Sequence, residues 1–417
     1  MKRKTELAIV GGGCAGMAAA LAAKEKGIND IIIIERSAMG GVLHQCIHNG
    51  FGLHTFGEDL TGTEFAHKYM NLVNEAGIEC MTNTIVLSIG KDNVLTAMSE
   101  GNFYEIEAKA IIMATGCRER SRGALAIPGT RPAGVITAGT AQRYMNVEGY
   151  LVGKKVVILG SGDIGLIMAR RMTLEGAKVL GVAELMPYSA GLNRNIVQCL
   201  KDFDIPLYLS HTVKQVIGKS HLEKVVIAKV DEKMQFIPGT EMEFDCDCLL
   251  LSVGLLPNVD LFNKLPLSIS KTRGAKVNQA METEIEGIFS AGNVLHVHDL
   301  VDYVVEEARE AASGAVSYLR GELSHKGHIY DVNPGVGINY VVPQKVFIDD
   351  VKDSCSFKFR VSKPMKDINI IITEGNNIIK KIFKPAIVPS EMEIVHVSKE
   401  SFKKENSEIK IYVEERK

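Results

Sequence analysis

The chain has 417 residues, 46% hydrophobic and 24% charged, with 48 Lys plus Arg against 50 Asp plus Glu and a net charge of -2. At roughly 100 to 200 residues per domain, this length predicts two to four domains with sizeable cores and excludes a small disulfide-stapled scaffold. The near-neutral charge, without a long basic block, excludes the electrostatic footprint of a nucleic-acid binder or a polybasic membrane anchor.

The basic start Met1–Thr5 precedes an apolar run of only Leu7–Val10, too short for a secretory signal, and no run approaches the roughly 18 apolar residues of a membrane span, so the expected location is cytoplasmic. Eight cysteines, at 14, 46, 80, 117, 199, 246, 248 and 355, form no CxxC pair, which leaves neither a zinc knuckle nor a dithiol motif.

A repeat displaced by 149 residues organises the first half of the chain. The first copy reads as a strand over Glu6–Val10, the loop Gly11-Gly12-Gly13-Cys14-Ala15-Gly16, a helix over Met17–Lys26 and a strand over Asp30–Glu35. The second reads as Lys155–Leu159, the loop Gly160-Ser161-Gly162-Asp163-Ile164-Gly165, a helix over Leu166–Glu175 and a strand over Ala177–Glu184. In each copy an acid, Glu35 or Glu184, lies 24 residues after the first glycine. This is the layout of a dinucleotide fold: the first glycine permits a tight turn, the second lets the backbone approach a pyrophosphate, and the third packs helix on strand. The pyrophosphate then meets unpaired N–H groups at the helix N-terminus, and the acid accepts from the adenosine ribose. Glu184 would repel a 2'-phosphate, favouring NAD(H). The alternative is that the glycines serve only turn geometry, and that the second copy persists as architecture without a ligand.

The two loops, flavin type first and nicotinamide type second, resemble those of the two-domain flavoproteins related to pyridine nucleotide-disulfide oxidoreductases. Further segments resemble that family in order: Glu35-Arg36 with the turn Gly40-Gly41-Val42, the strand ending Ala114-Thr115-Gly116, the turn Gly254-Leu255-Leu256-Pro257-Asn258, and Gly292-Asn293 before a helix opening at Leu300 and Val301. The resemblance spans roughly residues 5 to 320. It implies an α/β protein with two Rossmann-like three-layer domains, the second inserted in the first, binding FAD and NAD. The implied bounds are 1–120 with 249–326 for FAD and 121–248 for NAD. All the residues named in these motifs, Cys14, Ala15, Asp163 and Ile164 included, are the expected cofactor-binding positions.

Two departures bear on chemistry. Where the disulfide reductases carry a cysteine pair, Leu43 and His48 stand here, with Cys46 between them, so dithiol reduction is not expected. Asn293 replaces the usual Asp, and is expected to accept from a ribityl hydroxyl of FAD and to donate to a phosphate, so that FAD binding survives. The stretches Gly41–Gly52, Ala114–Arg120 and Asn293–Asp302 look most like the disulfide-free branch that accompanies dehydrogenases in anaerobic glycerol 3-phosphate, opine, proline and cyanide-forming systems, which implies a partner flavoprotein subunit.

The segment Leu300–Leu319 reads as an amphipathic helix. By resemblance its N-terminus faces the flavin N1 edge, where a helix dipole stabilises negative charge by roughly 0.3 to 2 kcal/mol. His48 is the candidate for proton exchange, with a plain backbone hydrogen bond as the other reading. No two histidines share a helical face at metal-ligand spacing, so no metal is expected. Arg118, Arg120 and Arg122 are read equally as an anion fork or as a loop charged for solubility or a partner interface.

After about Gly327 the pattern shifts to period-two runs at Ile338–Val342, Ser356–Val361, Ile368–Thr373, Ile378–Phe383, Met392–Val397 and Glu408–Val413. They predict a small antiparallel β-domain over 327–417, an interface for a sister subunit or a second copy. The expected function is hydride transfer between NAD(H) and FAD, with electrons exchanged with a partner dehydrogenase, glycerol 3-phosphate type favoured, or a small acceptor. The alternatives are an electron-transfer subunit with a structural ADP or ATP site, and a flavin-binding redox regulator without turnover.

Overall fold

The computed structural model describes residues 1–416. It divides into two compact units, Arg118–Leu256 and the remainder, Met1–Cys117 with the chain from Pro257 on. In the larger unit β1 (Lys2–Val10), α1 (Cys14–Glu25) and β2 (Ile31–Ile34) form a βαβ turn with parallel pairing from Leu7 and Ile31 to Val10 and Ile34. All four isoleucines of β2 are buried, as a strand between two covering layers requires. The sheet continues in the order β3 (Glu79–Met81), β2, β1, β6 (Asn102–Met113), β5 (Val94–Ser99), β4 (Ile85–Ile89), and Ile288–Ser290 pairs with β6.

Ala19, Ala20, Ala22 and Ala23 of α1 share a buried core with Ala308, Ala311, Ala312 and Ala315 of the later helix Val301–Leu319. Side chains this small let two helices approach closely, so the helical layer beside the sheet is thin and dense. Another helix, α2 (Gly62–Glu75), starts with a capping box in which the Thr61 hydroxyl accepts from Glu64 N and the Glu64 carboxylate accepts from Thr61 N.

The smaller unit repeats the pattern. Its sheet runs β7 (Val135–Thr137), β11 (Cys248–Leu251), β8 (Lys155–Leu159), β9 (Lys178–Glu184), β10 (Leu207–Leu209), all parallel, with α3 (Asp163–Leu174) between β8 and β9. Both glycine-loop helices start three residues earlier than their composition indicates, because the third glycine, Gly16 or Gly165, belongs to the first helical turn.

The last ninety residues form two sheets, β12 (Ile329–Pro334), β14 (Lys345–Phe347), β16 (Met365–Glu374), β17 (Asn377–Ile387) and β19 (Glu408–Glu415) in one, and β13 (Ile338–Val342), β15 (Ser354–Val361) and β18 (Glu393–Ser398) in the other. Tyr330, Phe357, Phe359 and Ile370 fill the core between them. The expectation of an antiparallel domain needs correction: β12 and β19 pair parallel, Asp331 beside Glu408. Strands far apart in sequence meet there, and no local turn dictates their direction. β12 and β14 also lie outside the strands read from sequence.

Within the larger unit an ionic network joins this region to α4 (Val301–Leu319). Lys358 of β15 is buried and donates to Glu307 Oε2 at 3.2 Å and to Glu310. His296 Nε2 lies 2.6 Å from the same Glu307 oxygen, and Glu307 Oε1 accepts from Gly292 N at 2.8 Å. Arg360 pairs with Asp299 and donates to Val297 O. Burial opposes the charge on Glu307, but His296, Lys358 and His298 hold its carboxyl well below the usual range. Burial pushes His296 down to about 4 despite Glu307, so its contact is a neutral N–H donating to a carboxylate. Removing one partner would strand a buried charge, at a cost of about 3 to 5 kcal/mol.

A folded histidine with a depressed pKa binds fewer protons than its unfolded form, which titrates near 6.5, so its stabilising effect is complete above that pH and is lost toward pH 4. The denaturant midpoint should therefore decline as pH falls from about 6.5 to 4, with Glu307 adding to the loss below its ordinary 4.5. His296→Gln should show a shallower decline in the upper window. An equal slope in both proteins contradicts this assignment.

Candidate functional site

In the first loop Gly11 has φ +114°, and a Cβ there would stand 2.3 Å from Ala114 O. Only glycine fits this turn. Gly16 carries the close packing, since a Cβ on it would fall 1.8 Å from Gly11 O. At Gly13, by contrast, a Cβ would meet nothing within 4 Å. Gly13 is the N-cap of α1 and no side chain caps it, so the first N–H groups of the helix, at Cys14 and Ala15, face an open cradle of pyrophosphate type. Over it folds the Gly40-Gly41 turn: Gly40 N donates to Gly12 O at 2.8 Å, and a Cβ on Gly41 would lie 3.2 Å from Gly13 Cα.

Glu35 is buried, accepting from Gly12 N at 2.7 Å on Oε2 and from Ser37 N at 2.9 Å on Oε1. Each oxygen keeps acceptor capacity for a ribose hydroxyl. Arg36 is exposed, and Val42 is 62% exposed. Ala114 N donates to Val10 O, Thr115 Oγ1 to Asn258 O at 3.0 Å, and Asn258 N to Gly116 O at 2.9 Å, which ties the ATG segment to the PN turn. A flavin dinucleotide fits this geometry.

Asn293 is engaged within the site. Its Oδ1 accepts from His298 N at 3.0 Å and lies 3.2 Å from His298 Nδ1, while Nδ2 points to Cys117 Sγ at 3.7 Å. The backbone donor fixes the amide's orientation and leaves Nδ2 as a donor, one of the two roles expected of this side chain. Gly292, against Ala15, completes the motif.

Leu300 is the N-cap of α4 and Val301 its first residue. The next, Asp302, was not among the residues read from sequence. It is buried, and accepts from Thr55 N at 2.8 Å, Thr55 Oγ1 at 2.6 Å and Gly52 N at 3.3 Å. An acid in a helix's first turn was the available signal. It anchors the 52–55 loop and neutralises part of the dipole on which stabilisation of a reduced flavin was expected to rest. His48 is half-buried, its ring 5.2 Å from that of Phe51, and His54 stacks on Tyr303 at 6.1 Å.

His296, His298 and Glu307 offer ligand atoms all within 4.8 Å of one another. Spacing along one helix could not reveal this, because the carboxylate arrives from the following helix. Of the three, Glu307 is paired with the Lys358 ammonium at 3.2 Å. Burial pushes the thiols of Cys14, at the start of α1, and Cys46, after the Gly-Gly turn, up to about 12.

The smaller unit has the second cradle. Gly160 has φ +95° with Ser252 O 2.1 Å from a would-be Cβ, and Gly165 N donates to Ser252 Oγ at 3.0 Å. Gly162 is the uncapped N-cap of α3, with nothing closer than Ser252 Oγ at 3.5 Å. Glu184 is buried; Oε2 accepts from Ser161 N and Oγ at 2.9 and 2.6 Å, and Oε1 from Met186 N at 2.9 Å. Asp163 turns to Leu192 N and Asn195 Nδ2, at 2.8 and 2.6 Å, so its carboxylate fixes the 189–195 segment. Ile164 packs on the hydrophobic core, and Gly254, φ +93°, has open space around it. Arg122 is lowered by burial and by the like charge of Arg131.

Two glycine cradles, each with its own acid and each between parallel strands, are the layout of a protein with one dinucleotide fold of the FAD type and one of the nicotinamide-nucleotide type. The pyridine nucleotide-disulphide oxidoreductase family matches residues 5–315, and the chain belongs to that family. It is 26% identical over 266 residues to an NADH oxidase of Methanocaldococcus jannaschii, covering 60% of this chain and 54% of that protein, so it spans about half the length of this relative. It is 28% identical over 299 residues to the thioredoxin reductase of Bacillus subtilis, covering 69% of this chain and 86% of the reductase. Among solved structures, the thioredoxin reductase of T. acidophilum shares the fold with a TM-score of 0.63 at 22% identity, over 76% of this chain and 98% of that one. The L-proline dehydrogenase of P. horikoshii does so with 0.51 at 19%, over 75% and 55%. Among the described residues no helix is long and apolar enough to cross a membrane.

Gly13→Val should abolish FAD retention without unfolding the protein, because a Cβ there meets no protein atom within 4 Å and points into the open cradle expected to take the pyrophosphate. The flavin absorbance per chain after gel filtration measures this; a flavin-replete variant contradicts the site.

Proposed function

We propose that the chain moves a hydride between NAD(H) and FAD and exchanges the electrons with a partner flavoprotein dehydrogenase, of the glycerol 3-phosphate-oxidising kind, or with a small acceptor. The observation that carries this reading is the seating of Glu184. A buried carboxylate held by the loop's own Ser161 and by Met186 N presents fixed negative charge at the place of the adenosine ribose, which favours two hydroxyls and opposes a 2'-phosphate. When bound, FAD supplies the two-electron acceptor.

The residues of the chain hold and orient. The α1 N-terminus with Gly13 takes the pyrophosphate, Glu35 the ribose, and Asn293 donates toward the flavin chain. His48 is the proton-exchanging group of this proposal, and residues 327–417 are the partner-facing region. Raised thiol pKa values at Cys14 and Cys46, with Leu43 and His48 in place of a cysteine pair, support electron exchange without a dithiol. The glycerol 3-phosphate assignment rests on the resemblance of the segments around residues 41–52 and 293–302.

Glu184→Ala should leave FAD bound, raise the NADH concentration for half-maximal flavin reduction about tenfold or more, and narrow the preference over NADPH, since a charge-assisted ribose contact contributes about 1.5 to 3 kcal/mol. Rapid-mixing reduction with each nucleotide tests this. Unchanged NADH dependence would move the reading to a structural nucleotide in the smaller unit.

A further inference from the structure

Next to the Gly292-Asn293 motif lies a buried charge cluster that the hydride transfer does not use. Its two carboxylates, Glu307 and Glu310 of α4, share one ammonium, that of Lys358 of β15. Arg360 and Asp299 beside them pair with each other, and Tyr340, against the His296 ring, accepts from Arg360. Asp302 turns to the 52–55 loop and Glu306 is exposed. With both histidines neutral the cluster is therefore one positive charge short, which favours uptake of a proton. A divalent cation would overshoot that deficit.

The hydrogen bonds select the atom that receives it. Asn293 Oδ1 accepts from His298 N, so it is also the acceptor for His298 Nδ1 at 3.2 Å, and the ring hydrogen of His298 sits on Nδ1. His298 Nε2 is left as a bare acceptor, buried, with no hydrogen-bond partner among the described residues and 3.4 Å from Glu307 Oε2, itself an acceptor. A proton on Nε2 converts two facing acceptors into an ion pair. His296 is the poorer place, because its Nε2–H already goes to Glu307 and burial pushes it down to about 4. The two rings lie 4.3 Å apart, so a charge on one excludes a charge on the other. Glu310 is the remaining competitor, since burial raises its carboxyl.

We propose that His298 Nε2 takes up a proton when the flavin is reduced and releases it on reoxidation, offsetting from beside the cofactor motif the negative charge that reduction adds. This rests on FAD occupying the first cradle, as in the proposed function, and is separate from the exchange assigned to His48. A hydride brings two electrons and one proton and leaves one added negative charge on the flavin. The second proton comes from solvent and forms the Nε2–H bond facing Glu307. The link between the two events is short, since His298 holds the Asn293 amide whose Nδ2 donates toward the flavin chain, and in a buried site such charges act on each other strongly.

The test is the flavin midpoint potential of the FAD-loaded full chain, poised at an electrode between about pH 6.5 and 8, where histidine titrates. Each proton taken up with the electron pair changes the reduction equilibrium tenfold per pH unit, about 30 mV for a two-electron couple. The wild type should therefore fall by about 60 mV per pH unit and His298→Gln by about 30 mV, with Glu310→Gln keeping the wild-type slope. A one-proton slope in the wild type overturns the proposal. So does a two-proton slope that survives His298→Gln, or one that is lost only in Glu310→Gln. If His298→Gln holds no flavin, nitrogen NMR of the histidine-labelled wild type decides: the bare Nε2 signal of His298 must vanish on reduction, and its persistence overturns the assignment. The electrode supplies the electrons, so failure of NADH to reduce the flavin would sink the proposed function and leave this test intact.

Discussion

One interaction recurs at both nucleotide cradles, and the rest of the site depends on it: an acid at the end of the second strand turns back and accepts from the backbone of the glycine loop. Glu35 does so with Gly12 N and Glu184 with Ser161 N. The loop must leave several N–H groups without protein partners if it is to meet a pyrophosphate, and such a loop has little to fix its shape. The carboxylate supplies that fixation from one side, while close contacts with the next strand's exit, Ala114 O or Ser252 O, supply it from the other. The same oxygens keep acceptor capacity, so in the proposed function a single group both shapes the cradle and reads the ribose.

Much of this was legible in the sequence because it is local. The glycines, the acids at fixed spacing and the strand Lys155–Leu159 follow from residue type and period alone, and so do Ile338–Val342 and the other period-two runs. Contacts across long sequence separations could not be read in this way. Parallel pairing of β12 with β19 joins segments about eighty residues apart. Lys358 reaches Glu307 from a different sheet, and Asp302 captures a loop some 250 positions earlier. Asn293 shows a subtler limit: its residue type permits both donation and acceptance, and only the position of His298 N shows how the amide is oriented.

The network around Glu307 gives the β-rich region a physical link to the flavin motif. Glu307 holds Gly292 N, the glycine beside Asn293, through one oxygen, and Lys358 of β15 through the other. A displacement of β15 would therefore change the charge balance of a fully buried carboxylate immediately behind the motif. In this arrangement the terminal sheets and the Gly292-Asn293 motif are coupled through one side chain.

The proposed function requires both cradles to serve one two-electron transfer. Anaerobic titration of the FAD-loaded protein with NADH, followed by the visible absorbance of the oxidised flavin, measures this. Complete bleaching is expected at one equivalent of NADH, with NADPH far less effective. Persistence of oxidised flavin in the presence of excess NADH would contradict it.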